Sequence, residues 1–375
     1  NMANILVTGG AGFIGSFIVD ELILRGHKVR IFDSLVQQVH HGKIPEHLNK
    51  KAEFIKGDVQ DRQALAKALK DIDFVFHEAA EVGVGQSMYE ISRYVNANAM
   101  GTANLLDIIV NDEQIKKRIK KVIIASSMSP YGEGMYSCKK CGIVNPSPRT
   151  EEKMKKGLWE LNCPKCNSVL KPVPTPETKT QEASSVYALT KKFQEDLVMN
   201  VGKAYNLPVV AFRYFNVHGP RQSLSNPYTG VAAIFMSRLK NNQQPLVFED
   251  GNQLRDFVSV HDIVQANMLA MEKDEANYQV YNVGSGVSIS VKKIAEIVAK
   301  LCGKDIKPLI TNNFRKGDIR HCFADITKIK KDLGFSPKVT FEDGMKELIK
   351  WAEDKEAKDL VDNMTDELKK RGIIT

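Results

Sequence analysis

Tyr187 and Lys191 stand at i and i+4 in Tyr187-Ala188-Leu189-Thr190-Lys191, so on a helix the phenol and the ammonium share one face. A free tyrosine, with a pKa of about 10, is a poor base at neutral pH, and a nearby positive charge favours its phenolate. Such a pair can take a proton from a hydroxyl. The bland alternative is a surface Tyr/Lys pair. Ser127, in Ser126-Ser127-Met128-Ser129-Pro130-Tyr131-Gly132, adds a hydroxyl that both donates and accepts. It follows the apolar run 121–125, read as a parallel strand whose carboxyl end is where ligands bind in such sheets. The plainer alternative is that these serines cap a turn.

A second set of residues could hold a dinucleotide. Residues 4–8 read as a buried strand, and Phe13, Ile14, Phe17, Ile18, Leu22 and Ile23 recur with a helical period. Gly9, Gly12 and Gly15 lie between the two. Glycines there let the backbone approach a pyrophosphate, and the N–H groups of the helix start, around Phe13, Ile14 and Gly15, can bind that anion. Asp33 closes the next strand, where it can accept from ribose hydroxyls and repel a 2′-phosphate. NAD is therefore expected over NADP.

The cysteines form a third set. Cys138-x-x-Cys141 and Cys163-x-x-Cys166 have knuckle spacing, with Gly142 and Pro164 as turn formers. A structural zinc on all four is expected, with two disulfides or four free thiols as alternatives. Four thiolates leave no open position for catalysis. Cys302 and Cys322 read as ordinary, partly buried residues.

The elements that must position these groups alternate strand and helix through residue 132, then again from 184. That pattern predicts an α/β fold, a doubly wound parallel sheet of Rossmann type. Residues 2–132 and 184–216 are expected to form the dinucleotide domain and 133–183 a zinc-binding insertion. Residues 217–375 are expected to be mostly a smaller substrate-binding lobe, some segments returning to the main sheet. Asn1 ahead of Met2 reads as an appended residue. With 375 residues and 43% hydrophobic content the chain can bury a real core. No apolar run approaches the ~20 residues of a membrane span, and no signal-peptide pattern is visible, so a cytoplasmic location is expected. The net charge of +8 is scattered, with clusters at Lys116 to Lys121 and Lys153 to Lys156. Solvated helix faces explain it better than nucleic acid, and a basic cleft would suit a diphosphate.

In sequence and order, the motifs resemble the extended short-chain dehydrogenase/reductase family, in particular its nucleotide-sugar epimerases and dehydratases. They are Thr8-Gly9-Gly10-Ala11-Gly12-Phe13-Ile14-Gly15, Gly57-Asp58-Val59, His77-Glu78-Ala79-Ala80, Asn98-Ala99-Met100-Gly101-Thr102, Ser127 with Tyr131-Gly132, and Tyr187-x-x-x-Lys191. Arg213-Tyr214-Phe215-Asn216-Val217-His218-Gly219-Pro220-Arg221, Arg255-Asp256-Phe257-Val258 and Arg315-Lys316-Gly317-Asp318 follow. The resemblance implies that Asp58 and Val59 contact adenine and that Ala79, Ala80 and Asn98 belong to the cofactor groove. It implies Ser127, Tyr187 and Lys191 as catalytic triad, Lys191 also holding the ribose and lowering the Tyr187 pKa. It implies Asn216, Arg255 and Arg315 as the grip on a substrate diphosphate, a role suited to arginine. Arg255 could instead pair with Asp256, and Arg315 with Asp318.

One departure matters. The family's sugar 4,6-dehydratases carry an Asp-Glu pair immediately after the position of Ser127, where this chain has Met128 and Ser129. Neither does that acid/base work, which argues against a dehydratase. Glu81 is a further acid near the expected cleft, open between substrate contact and solvated charge. The two-knuckle insert, with Tyr131-Gly132-Glu133-Gly134 leading in and Pro148-Arg149-Thr150 within, resembles that of dTDP-L-rhamnose 4-epimerases. The implied reaction is C4 epimerisation of a nucleotide-linked 6-deoxyhexose (dTDP-L-rhamnose to dTDP-6-deoxy-L-talose) through a transient 4-keto sugar. Rivals are a UDP-hexose or UDP-uronate 4-epimerase, a dehydratase or reductase, and a non-catalytic NAD-binding scaffold. The resemblance also implies a homodimer, through helices around 92–112 and 184–205.

Overall fold

A computed structural model describes residues 2–375; Asn1 lies outside them. The chain builds a seven-stranded sheet from β1 (Asn4–Thr8), β2 (Lys28–Asp33), β3 (Glu53–Lys56), β4 (Phe74–His77), β5 (Lys121–Ser127), β6 (Val209–Tyr214) and β7 (Gln279–Val283). They lie in the order β3-β2-β1-β4-β5-β6-β7, every pair parallel. The order reverses between β1 and β4, which opens a crevice at their carboxyl ends.

Helices cover both faces, so the strands are apolar throughout rather than alternating. All seven residues of β5 are buried. Successive residues feed opposite cores: Ile5, Val7, Ile123, Val210 and Phe212 join one, Leu6, Val122, Ile124, Val209 and Ala211 the other.

Segments beyond residue 216 rejoin the main sheet and its core. β7 forms an edge of the main sheet, and the helices Val260–Glu272 and Thr327–Leu333 pack into the same core, through Ile263, Ala266 and Ile329 among others. The rest of 217–375 has its own core, around Phe235, Leu239, Val247, Ile294, Val298, Met345 and Leu348. The insertion contains an antiparallel sheet of Met135–Cys138, Gly142–Val144 and Lys171–Val173. Its core is only Tyr136, Cys138, Val144, Leu161, Cys163 and Leu170, with Cys141 packed against it. So small a core needs a staple or a larger neighbour. No helix among the described residues is long and apolar enough to cross a membrane.

Two helices position the chemistry. Val186–Tyr205 starts at Ser185, whose hydroxyl accepts from the Ala188 N–H at 3.1 Å, and ends at Asn206 in the left-handed region. Its buried face carries Tyr187, Lys191, Gln194, Glu195 and Val198. The run from Ile91 to Asn111 passes through a π-helical segment, Val95–Met100. Such wide turns are frequent at functional sites.

Candidate active site

One cavity of about 650 Å³ lies along the crevice. Its wall includes Gly9, Gly12, Phe13, Ile14, Gly15, Asp33, Asp58, Val59, Ala79, Ala80, Ser127, Tyr187, Lys191, Asn216, Arg255 and Arg315. The fold thus gathers residues from across the sequence onto one surface.

Gly9 has φ +68°, and a Cβ there would lie 2.7 Å from the Ala79 nitrogen. A Cβ at Gly15 would run into the Gly9 carbonyl oxygen. The turn is therefore closed to side chains. Gly12 begins the helix Phe13–Leu24 without any side-chain cap, so the first-turn N–H groups face the cavity. Asp33 is largely committed to the protein: its oxygens accept from Ala11 N–H at 3.0 Å and Leu35 N–H at 2.9 Å. Each oxygen keeps a lone pair for a hydroxyl beyond.

Asn98 is the exception. It is fully buried behind the wall, bonded to Glu81 N at 2.8 Å, Glu81 O at 3.0 Å and the Thr190 hydroxyl at 3.1 Å. Placed in the π-helical turn, it ties the Glu81 loop to the helix that carries Tyr187 and does not reach the cavity. Glu81 itself lines the cavity and pairs with Arg93 at 2.8 Å.

Ser127 ends β5 with its hydroxyl 2.8 Å from that of Ser129, and it accepts from the Ser129 N–H at 3.1 Å. Burial raises the pKa of the Tyr187 phenol, and a hydrogen bond from Ser127 opposes this. The Lys191 ammonium donates to the Ala125 carbonyl at 2.8 Å and to Gln194 at 3.0 Å. These two bonds hold it beneath the end of β5. Burial pushes Lys191 down to about 8, and Glu78 nearby works the other way.

Glu78 was not foreseen as a site residue. It lines the cavity, accepts from the Tyr214 hydroxyl at 3.1 Å, and is raised by burial to about 7. His77 beside it is fully buried between the hydroxyls of Thr8 and Thr102, and burial lowers it to about 3, so it is neutral.

On the opposite wall, the Asn216 side-chain oxygen is buried without a partner. Arg255 bonds the carbonyls of Leu254, Ile319 and Arg320 at 2.8–2.9 Å rather than Asp256. Asp256 instead accepts from Ser285, Gly286 and Ala324. Arg315 pairs with Asp318 at 3.0 Å and lies over the Phe248 ring, 5.3 Å from its centroid. Met128 and Ser129 line the cavity, with no acid at either position.

All six cysteines are free. The thiols of Cys138, Cys141, Cys163 and Cys166 lie within 4.8 Å of one another, those of Cys138 and Cys166 at 3.4 Å.

Known proteins resemble this chain in sequence and fold. A model of the NAD-dependent epimerase/dehydratase family matches residues 5–153, and one of GDP-mannose 4,6-dehydratase matches 169–348. The dTDP-L-rhamnose 4-epimerase of Burkholderia thailandensis is 34% identical over 352 residues, 92% of this chain and 94% of that protein. The chain belongs to the NAD-dependent nucleotide-sugar epimerase/dehydratase family. Solved members superpose closely. The UDP-glucose 4-epimerase of Thermotoga maritima, with UDP-glucose, is 32% identical over 93% of this chain and 98% of that one, with a TM-score of 0.76. A variant UDP-glucuronic acid 4-epimerase from Bacillus cereus, complexed with NAD and a fluorinated substrate analogue, is 27% identical over 93% and 99%, with a TM-score of 0.75.

As a member of this epimerase family, the protein is an enzyme, and NAD fits the wall described above. The side-chain-free cradle of Gly9, Gly12 and Gly15 and the uncapped helix start offer a pyrophosphate site. Across the cavity stand the unpartnered Asn216 oxygen and the two arginines.

Proposed function

We propose that this enzyme inverts C4 of a nucleotide-diphosphate sugar, with dTDP-L-rhamnose as substrate and dTDP-6-deoxy-L-talose as product. The observation that carries the reaction type is Tyr187 beside Ser127 at the end of β5, with no acid at 128 or 129. The likeness along 94% of the Burkholderia 4-epimerase supports the 6-deoxy sugar. UDP-linked hexoses or uronates are the second reading, favoured by the likeness to the Thermotoga and Bacillus enzymes.

Tyr187 takes the proton of the C4 hydroxyl while Ser127 hydrogen-bonds the same oxygen. NAD, when bound, would supply a reversible acceptor for the C4 hydride. Lys191, held by Ala125 and Gln194, keeps its charge under the ribose and the Tyr187 ring. Arg255, Arg315 and Asn216 anchor the diphosphate while the flat keto sugar turns. Gly9, Gly12, Phe13, Ile14, Gly15, Asp33, Asp58, Val59, Ala79 and Ala80 hold the dinucleotide.

The four thiolates hold one structural zinc. Zn–S bonds of about 2.3 Å place tetrahedral sulfurs about 3.8 Å apart, a spacing that the observed cluster accommodates. The protein acts as a homodimer. Ile91, Val95 and Met100 on one helical run and Leu189 and Phe193 on the catalytic helix are exposed apolar residues, which a second copy would cover.

Substrate choice is tested by measuring kcat/KM for dTDP-L-rhamnose, UDP-glucose and UDP-glucuronate. At least a tenfold preference of about 1.4 kcal/mol for the first is expected. Preference for either UDP sugar replaces the first reading with the second.

A further inference from the structure

Residues 315–321 form the cavity rim that controls both arginines assigned to the diphosphate. Arg315 belongs to it, and Arg255 is aimed by its bonds to the carbonyls of Ile319 and Arg320. The rim is clamped from behind. The side chain of Arg320, almost fully buried, donates to Glu160 at 2.6 and 3.0 Å, Asp250 at 2.7 and 3.0 Å, and Glu249 at 2.9 Å. The ring of His321 meets the other Glu160 oxygen at 2.9 Å.

Backbone contacts complete the clamp. Glu133 accepts from the Arg320 N–H at 2.7 Å and from the Tyr136 hydroxyl at 2.6 Å. Tyr136 lies on the strand that ends at Cys138. Arg149 bonds the Asp318 carbonyl at 3.1 Å and Glu249 at 2.8 and 2.9 Å. Thus Glu133, Arg149 and Glu160, all from the insertion, hold a rim that belongs to the substrate lobe. Glu133, Arg149, Glu249 and Arg320 are buried while Glu160 and Asp250 stay half-exposed. Burying the first four costs desolvation, and a bonded network of this kind favours a single geometry.

We propose that the 133–183 insertion is a strut for substrate binding, and that Glu160 is a positioning residue that sets Arg255 and Arg315 against the diphosphate. This rests on the reading of those arginines as the diphosphate grip. A rim displaced by a fraction of an ångström misdirects both guanidinium groups, although no insertion residue touches the ligand. The cofactor turn lies on the opposite wall and is untouched by the clamp.

The test uses the full chain with NAD bound and dTDP as calorimetric probe, comparing wild type, Glu160→Gln, Arg255→Ala and the double variant. Glu160→Gln is expected to weaken dTDP about tenfold, with kcat at saturating sugar within about twofold and NAD content unchanged. The double variant should lose less than the product of the two single losses, because part of the Glu160 effect passes through Arg255 and only the rest through Arg315. Wild-type dTDP affinity in Glu160→Gln, with Arg255→Ala weakened, overturns the strut and leaves the grip intact. Independent, multiplying losses overturn it too. Wild-type affinity in Arg255→Ala removes the grip itself, and the strut with it. If Glu160→Gln does not fold, Glu160→Asp, which keeps the charge on a shorter arm, gives the same readings.

Discussion

The two walls of the cavity are made in different ways. The cofactor wall is mostly backbone: glycines whose missing side chains leave room, a helix start with free N–H groups, and small Ala79 and Ala80. The wall proposed to grip the diphosphate carries arginines whose directions depend on charged side chains, buried and half-buried, from three distant stretches. Local rules determine the first wall and tertiary contacts determine the second. One wall therefore tolerates changes elsewhere in the molecule, while the other is sensitive to them.

Tyr187 stands at the seam between the walls, and its loss is the largest expected effect. Tyr187→Phe should lower kcat by about 10³-fold, the scale of a lost general base, while NAD stays bound; kcat and cofactor content after gel filtration check this. Near-normal turnover would remove the phenol from the chemistry.

Arg255→Ala tests the second wall alone. It should raise KM for the nucleotide sugar about 10- to 100-fold, equivalent to roughly 1.5–3 kcal/mol for a charge-assisted contact, with kcat nearly unchanged. Equal loss in kcat would mean that this arginine serves the transition state rather than the anchor.

Cys163→Ser sharpens the contrast from the insertion. It should abolish the zinc detected by metal analysis, about one ion per chain in the wild type. Thermal stability should fall by several degrees, yet NAD should remain bound. A wild-type protein without metal would leave the cysteines as free thiols.

The smallest effect is a pH shift. Lys191 is held down to about 8 by burial, and Glu78 raises it. The positive form carries the function, so kcat should decline as pH rises through about 8. Glu78→Gln removes the negative charge that favours the ammonium, so this alkaline limb should move to lower pH. An unmoved or upward-shifted limb in the kcat profile would separate Glu78 from Lys191.

What could be read from the sequence follows the same division. The glycine turn, Asp33 and the Tyr187/Lys191 pair were legible because each is a local pattern within a single strand-helix junction or one helix. Asn98 was assigned to the cofactor by motif, but the π-helical turn directs it inward. The sequence did not say which segments beyond 216 rejoin the main sheet, because a short apolar strand after a loosened region carries no sign of which sheet it joins. Glu78 gave no signal because its role depends on burial beside Tyr214 and Lys191. The Arg320 clamp joins residues 160 positions apart, beyond the reach of any periodicity.

The most direct test of the central claim uses dTDP-L-rhamnose deuterated at C4, incubated with the purified enzyme without added cofactor and followed by proton NMR. The expected result is the C4 epimer with deuterium retained at C4 and no net NADH, since the same hydride leaves and returns. Loss of deuterium to solvent during epimerisation, or no epimer from this or any UDP-sugar, would contradict the account.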